Sequence, residues 1–219
     1  ARQRPPGPHA ILAGCVIAQG DYARAVAVCD EALEHALVAR DSHSAVQALV
    51  QSATADIGRG RLERAESTVD ECRLLLESSG NIGVEMALST LRFFIAFERA
   101  DYDRADAPLA ELLALCSATQ PKRAVMVRVA QEFVLMETDR LAQVSLLRTI
   151  TDDEFPFALH VTMHVDIQTY RLLLQALDGD WSGLGKTLAR SCRLVRRAGN
   201  AAWGARLAEV AAVAALRTG

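Results

Sequence analysis

The sequence predicts an all-α protein: an α-solenoid of about five antiparallel helix pairs with a repeat of about 40 residues, followed by a final helix. Three observations support this prediction. A short turn motif recurs at a nearly constant spacing along the 219 residues. The composition is 51% hydrophobic but only 5% aromatic, so Ala and Leu supply most of the apolar residues, as in close-packed helices. No segment gives a convincing strand pattern.

The repeated motif first occurs as GDYARA, from Gly20 to Ala25. Related sequences follow as GRLERA, ADYDRA, DRLAQV and GDWSGL. Their large residues are Tyr22, Leu62, Tyr102, Leu141 and Trp181, at spacings of 40, 40, 39 and 40. The residues three positions later are Ala25, Ala65, Ala105, Val144 and Leu184, and those seven positions later are Cys29, Val69, Leu109, Arg148 and Leu188. Offsets of 0, 3 and 7 lie on one face of a helix, so each motif is expected to open a second helix that packs on the helix before it.

The position of each helix follows from this spacing and from the turn residues that flank it. The helices before the motifs are predicted at 9–19, 42–58, 82–99, 121–138 and 157–178. The helices after them are predicted at 21–39, 61–78, 101–118, 140–150 and 181–198, and a last helix at 200–217. Asp21 is a good N-cap and Gly20 suits the end of the helix before it. Residues 1–8 are expected to form a linker and residues 9–219 a single repeat domain.

The motif resembles the turn of tetratricopeptide (TPR) repeats. Gly20, Asp21, Tyr22, Ala25 and Ala32 match the turn, the large residue and the two small residues of that pattern. The units here are about 40 residues long instead of about 34, and the opening Trp and closing Pro of the usual unit are absent. The fourth copy is degenerate, and its expected packing positions hold Glu132, Arg148 and Thr151.

Longer TPR-like units rich in Ala, Leu and Arg are similar to the sensor solenoid of MalT-like, LuxR-type bacterial transcription regulators. In that group the solenoid lies between an ATP-binding switch module and a helix-turn-helix, neither of which is in this chain. The resemblance implies a cytoplasmic, non-enzymatic domain that binds a protein partner or a small effector. The alternative is a free-standing TPR-like adaptor that docks a peptide or a partner helix. An enzyme subunit that uses the groove as its active site is a third interpretation.

The resemblance also implies where a ligand or partner binds, because the first helices of TPR-like pairs line a concave groove. The candidate groove residues are Thr90, Arg92, Phe94, Phe97, Arg128, Val129, Gln131, Phe133 and Met136. Further positions on the same face are Gln47, Val50, Thr54, Ile57, Met126, Asp166, Thr169 and Leu173. Two alternatives remain open: the aromatic residues pack as core, and Arg92 or Arg128 forms a salt bridge with Glu132.

Other patterns exclude several functions. The net charge of -3 and scattered basic residues argue against direct nucleic-acid contact. No run of about 18 apolar residues predicts a membrane span. GLGKT, at 183–187, lacks the strand that precedes a phosphate loop, and His160 and His164 lack further metal ligands. The five cysteines lack clustered spacing and are expected to be buried core residues. No catalytic motif or cofactor site is predicted.

The last feature concerns the end of the chain. Gly219 falls 40 residues after Gly179, where a sixth motif would begin. The final helix is largely apolar, with Leu207, Val210 and Val213 on one stripe, and does not resemble a polar solenoid cap. We therefore expect a fragment of a longer protein, or self-association through this helix. A natural terminus is the alternative.

Overall fold

The described residues of the computed structural model are 8–76, 82–150, 161–198 and 201–218. They contain eleven α-helices and no strand, which confirms the all-α prediction. The first six helices are α1 Pro8–Ala18, α2 Tyr22–Val38, α3 Ser42–Gly58, α4 Leu62–Leu76, α5 Ile82–Glu98 and α6 Tyr102–Thr119. The remaining five are α7 Pro121–Glu137, α8 Leu146–Thr149, α9 Val161–Asp178, α10 Trp181–Ala198 and α11 Ala201–Thr218.

All five motif turns have the same backbone geometry. The residue two positions before each large residue has a positive φ: 77° at Gly20, 69° at Gly60, 55° at Ala100, 58° at Asp139 and 74° at Gly179. The next residue donates its backbone N–H to the carbonyl five residues earlier, as Asp101 does to Ala96 at 2.9 Å. This is the left-handed closure that ends many helices. The turn register predicted from the sequence is therefore present in the backbone.

Within the described residues, contacts divide the chain into two compact units. The N-terminal unit comprises Ala1–Ile17 with Asp21–Val127, and the C-terminal unit comprises Ala18–Gly20 with Arg128–Gly219. In the N-terminal unit each helix from α2 to α5 packs on its successor, and α3 also packs beside α5. Consecutive pairing of this kind is the packing of a helical-repeat protein.

The residues three and seven positions after the large residue form the core of the N-terminal unit, as predicted. Ala25, Ala65 and Ala105 are fully buried. Cys29, Val69 and Leu109 are at most 2% exposed. The alanine methyl group three positions after the large residue lets the preceding helix approach closely, because a larger side chain there would keep the two backbones apart.

The fourth repeat departs from the sequence prediction. A helix was expected at 140–150, but the structure has a 3-10 turn at Leu141–Gln143 followed by the short α8. The buried carboxylate of Glu132 explains the change: it accepts the backbone N–H groups of Ser145 at 2.9 Å, and of Leu146 and Leu147 at 2.6 Å each. These bonds fix an N-terminus at Ser145, where the predicted helix would have been continuous.

In the C-terminal unit, α9 packs against α8, α10 and α11, and α10 also packs against α11. The largest fully buried side chains of this unit are Leu147, Ile150, Ile167 and Leu172. GLGKT is part of α10, as predicted. A Cβ at Gly183 would meet the ends of two flexible side chains, Oδ2 of Asp180 just before α10 and Nε2 of Gln175 on α9.

Candidate partner-binding face

The parallel helices α3 and α5 each present one row of half-buried residues. We call these two rows the α3–α5 face, and its members are His43, Gln47, Val50, Thr54 and Ile57 on α3, and Gly83, Ala87, Thr90, Phe94 and Phe97 on α5. The two rows correspond position by position at an offset of 40 residues. Most other residues of α3 and α5 are buried, so the two rows are an accessible surface on otherwise packed helices.

Three of the candidate groove residues, Thr90, Phe94 and Phe97, therefore lie together on this face. His43, Gly83 and Ala87 were not predicted as part of it. Helical spacing identifies His43, which lies four residues before the predicted Gln47, and the 40-residue offset from His43 and Gln47 then identifies Gly83 and Ala87.

The hydroxyl groups on the α3–α5 face are already hydrogen-bonded within their own helices. Thr54 donates to the carbonyl of Val50 at 2.8 Å, and Thr90 donates to the carbonyl of Met86 at 2.8 Å. Donation to the preceding turn holds each hydroxyl against the helix backbone. The centre of the face consequently offers methyl groups and aliphatic carbon, which favours apolar contact over hydrogen-bonded recognition.

One end of the face is aromatic and the other is polar. Phe94 and Phe97 both contact the buried ring of Phe93, at centroid distances of 5.1 and 5.6 Å, and Phe97 also meets Tyr102 at 5.7 Å. At the opposite end, Nε2 of Gln47 lies 3.0 Å from Nε2 of His43. Aromatic pairs at these separations hold each other's orientation. The face therefore has a packed aromatic end and a polar end.

The candidates on α7 have different environments. Val129, Phe133 and Met136 are buried, with exposures of 0%, 3% and 9%. Phe133 stacks on Tyr170 of α9 at a centroid distance of 4.5 Å, and Tyr170 donates a hydrogen bond to Glu137 at 2.5 Å. Because a ring of α9 covers Phe133, these three side chains belong to the packed interior instead of an open surface. Gln131 is half-buried and Arg128 is exposed.

Of the two charged candidates, Arg92 has a structural partner. Nη1 of Arg92 lies 3.6 Å from Oε2 of Glu111 on α6, and Ser89 donates to the same oxygen at 3.0 Å. Arg92 thus joins α5 to α6, and its partner is Glu111 rather than the suggested Glu132. Glu132 instead accepts the backbone N–H groups at the start of α8.

Two further predictions concern cysteines and metals. Cys29, Cys72 and Cys116 are buried and Cys192 is half-buried, but Cys15 is exposed on α1, contrary to expectation. Its side chain lies on the face of α1 that also exposes Ile11 and Leu12. In the described part of the chain no group of three or more His, Cys, Asp or Glu side chains is placed to hold a metal ion. His160, and the side chain of His164, lie outside the described residues.

The fold and this face define the class of the protein: an all-α helical-repeat protein with an accessible, mainly apolar face on α3 and α5. Neither known protein families, nor curated proteins, nor solved structures provide a match to the chain. No described helix is long and apolar enough to cross a membrane.

Proposed function

We propose that this chain is a non-enzymatic interaction module that binds an apolar segment of a protein partner on the α3–α5 face. The observation that carries the proposal is the pair of half-exposed rows whose hydroxyl hydrogens are bonded internally. A surface of this kind gains affinity by removing apolar area from water. Its aromatic end supplies the anchor that commonly dominates such interfaces.

The length of the face favours a helical or extended segment as the ligand. From Gln47 to Ile57 the α3 row covers ten residue steps, or roughly 15 Å at 1.5 Å per residue. An amphipathic helix of three turns covers a similar distance with apolar residues at i, i+3, i+4 and i+7. The apolar side of such a helix would lie between the rows, with its bulkiest residue beside Phe94 and Phe97.

The biological setting of this module is proposed from the resemblance to MalT-like regulators. There the interaction face would sense a partner or an effector in the bacterial cytoplasm and bias a neighbouring switch module. Such a bias requires that the ligand bind one conformation of the regulator more tightly than the other. A difference of about 1.4 kcal/mol between the two affinities shifts the equilibrium about tenfold.

The proposal is tested with peptides selected from a displayed library of amphipathic helices against the whole chain. Fluorescence anisotropy then measures the affinity of the selected peptide for two variants, Phe94→Ala and Thr90→Lys. The first removes the aromatic anchor and the second places a charge at the centre of the face. Each is expected to weaken binding at least about tenfold, equivalent to about 1.4 kcal/mol.

The matched control is Leu74→Lys on α4. Leu74 is 72% exposed and does not belong to the α3–α5 face, so this variant should bind the peptide as the wild type does. Circular dichroism confirms that every variant is folded. Wild-type affinity in both Phe94→Ala and Thr90→Lys would reject the face as the binding site.

A further inference from the structure

A second interaction surface is indicated by the charge on the second helix of each pair. At the position nine residues after the large residue, the first two repeats have Glu31 and Glu71, whereas the fifth has Arg190. The preceding position has Asp30 and Asp70 in the first two repeats. This repeat position is therefore negatively charged on α2 and α4 and positively charged on α10.

The basic side is the exposed surface of α10, which contains no acidic residue. Lys186, Arg193 and Arg196 lie on one face of this helix and are exposed, and none of the three forms an ion pair with a residue that the structure describes. The apolar side of α10 packs on α9 and α11. Because that side is already occupied, the charged face of α10 is a part of the helix that a partner can reach.

The acidic side lies between α2 and α4 of the N-terminal unit. A cavity of about 250 Å³ separates these helices, with the exposed residues Asp30, Ser67 and Glu71 among its lining. Arg64, the cation in the cavity wall, is 3.0 Å from the buried carboxylate of Asp56. Since Arg64 is paired with the carboxylate of Asp56, the carboxylates of Asp30 and Glu71 are available to a cationic side chain of a partner.

The electrostatic environment of Cys29 supports this description of the cavity. Burial, followed by the carboxylates of Asp30 and Asp56, raises the pKa of the Cys29 thiol to about 12. The same negative field that disfavours a thiolate favours the entry of a guanidinium or ammonium group.

We infer that the chain associates with a second copy of itself, with the basic face of α10 on one copy docked on the acidic cleft between α2 and α4 of the other. Charge complementarity identifies the partner, because both surfaces occur on the same chain and both are exposed. If the contact is reciprocal it closes a two-fold dimer, and otherwise it continues as a head-to-tail chain. The long side chains of Arg193 and Arg196 provide the reach needed to enter the cleft beside Asp30 and Glu71.

Light scattering coupled to size exclusion measures the mass of the whole chain at several concentrations. The mass is expected to rise above that of the monomer with concentration at about 50 mM NaCl, and the dissociation constant to increase at least about tenfold at about 500 mM NaCl, where the screening length is much shorter. Arg193→Glu with Arg196→Glu, and separately Asp30→Lys with Glu71→Lys, should each be monomeric while keeping the helical signal of the wild type.

Mixing the two reversed variants supplies the decisive comparison, because their altered surfaces are again complementary and association should return. The control, Arg59→Glu with Arg61→Glu, makes the same change of net charge at exposed residues of the turn between α3 and α4. It should associate as the wild type does.

A wild-type chain that stays monomeric up to about 100 µM at low salt would overturn the inference. Association that is unchanged by either reversal, or a mixture that stays monomeric, would also overturn it. If the chain never self-associates and α10 instead binds an acidic polymer, the inference is also overturned.

Discussion

The contact between Tyr22 and Gly58 gives a prediction with a sign opposite to that expected from helix propensity. Gly58 is the last residue of α3 and its φ is not positive, so alanine fits its backbone. A Cβ added there would lie 2.6 Å from Cε1 and 2.7 Å from Cζ of Tyr22. The ring would have to move by roughly 1 Å to restore ordinary carbon contact. We therefore expect Gly58→Ala to destabilise the N-terminal unit.

The magnitude follows from two opposing contributions. Alanine replaces glycine in a helix with a gain of at most about 1 kcal/mol. Forcing extra volume into a packed contact costs about 1–3 kcal/mol, and Tyr22 packs on a core that includes Val16 and Ile17. The net loss is expected to be about 1–2 kcal/mol, which lowers Tm by roughly 2–8 °C in a chain of this size.

Urea unfolding followed by circular dichroism at 222 nm measures this effect, and a double-mutant cycle identifies its cause. In a Tyr22→Ala background the obstructing ring is absent, so Gly58→Ala should be neutral or stabilising by up to about 1 kcal/mol. Gly185→Ala on α10 is the matched control, because a Cβ there meets no atom within 4 Å and should stabilise by about 0.5–1 kcal/mol. The reasoning is refuted if Gly58→Ala stabilises the wild type as much as it stabilises Tyr22→Ala.

Four further predictions follow from individual contacts. Glu132→Ala leaves three backbone N–H groups at the start of α8 without their acceptor and should cost about 3 kcal/mol in urea unfolding, whereas Glu132→Gln, which keeps an acceptor, should cost less. Arg64→Ala leaves the fully buried Asp56 unpaired and should cost about 2–3 kcal/mol; adding Asp56→Ala should recover part of that loss, and a larger loss in the double variant would contradict the pairing. Ala100→Gly relieves a φ of 55° and should raise the free energy of unfolding by about 0.5–1 kcal/mol, so a decrease would show that the turn is unstrained. Because burial raises the pKa of the Cys29 thiol from 9.0 to about 12, the unfolded chain ionises first: stability should fall as the pH rises above about 9 towards 12, and should fall less steeply in Cys29→Ala.

The turns could be predicted from the sequence because their chemistry is local. A left-handed residue favours glycine, an N-cap favours aspartate, and a close helix approach favours alanine. Asp21 and Asp101 accept the backbone N–H three residues later, at 3.1 and 3.4 Å, as that chemistry requires. Each of these requirements involves only a few neighbouring residues. The matching residue types therefore recur with the repeat and can be recognised from the sequence.

The second helix of the fourth repeat could not be predicted in the same way. Glu132 lies on α7, and its carboxylate reaches backbone groups 13 to 15 residues later. Sequence periodicity identified the polar residue at a packing position but gave no information about which donors it meets. The prediction of a continuous helix at 140–150 failed because a tertiary hydrogen-bond set terminates it.

The candidate site depended on the same kind of tertiary information. Phe94 and Phe133 occupy equivalent positions, eight residues before the large residue of their motif. Phe94 is half-exposed, whereas Phe133 is covered by Tyr170 of α9. Helical spacing gives the two rings the same facing direction, and only the neighbouring helix decides which one is accessible.

These comparisons separate the positions that maintain the fold from those that are free to carry function. The residue three positions after the large one is a fully buried alanine in each of the first three repeats, and packing permits little else there. In the first, second and fifth repeats the residue nine positions after it is exposed, and it changes from Glu31 and Glu71 to Arg190 while the helix is kept. Since packing does not constrain such positions, their differences between repeats are where binding specificity can be encoded. The aromatic residues of α5 replace Thr54 and Ile57 of α3 in the same register. They pack on Phe93 yet stay half-exposed, so they are the residues of the α3–α5 face to change first when binding is to be altered.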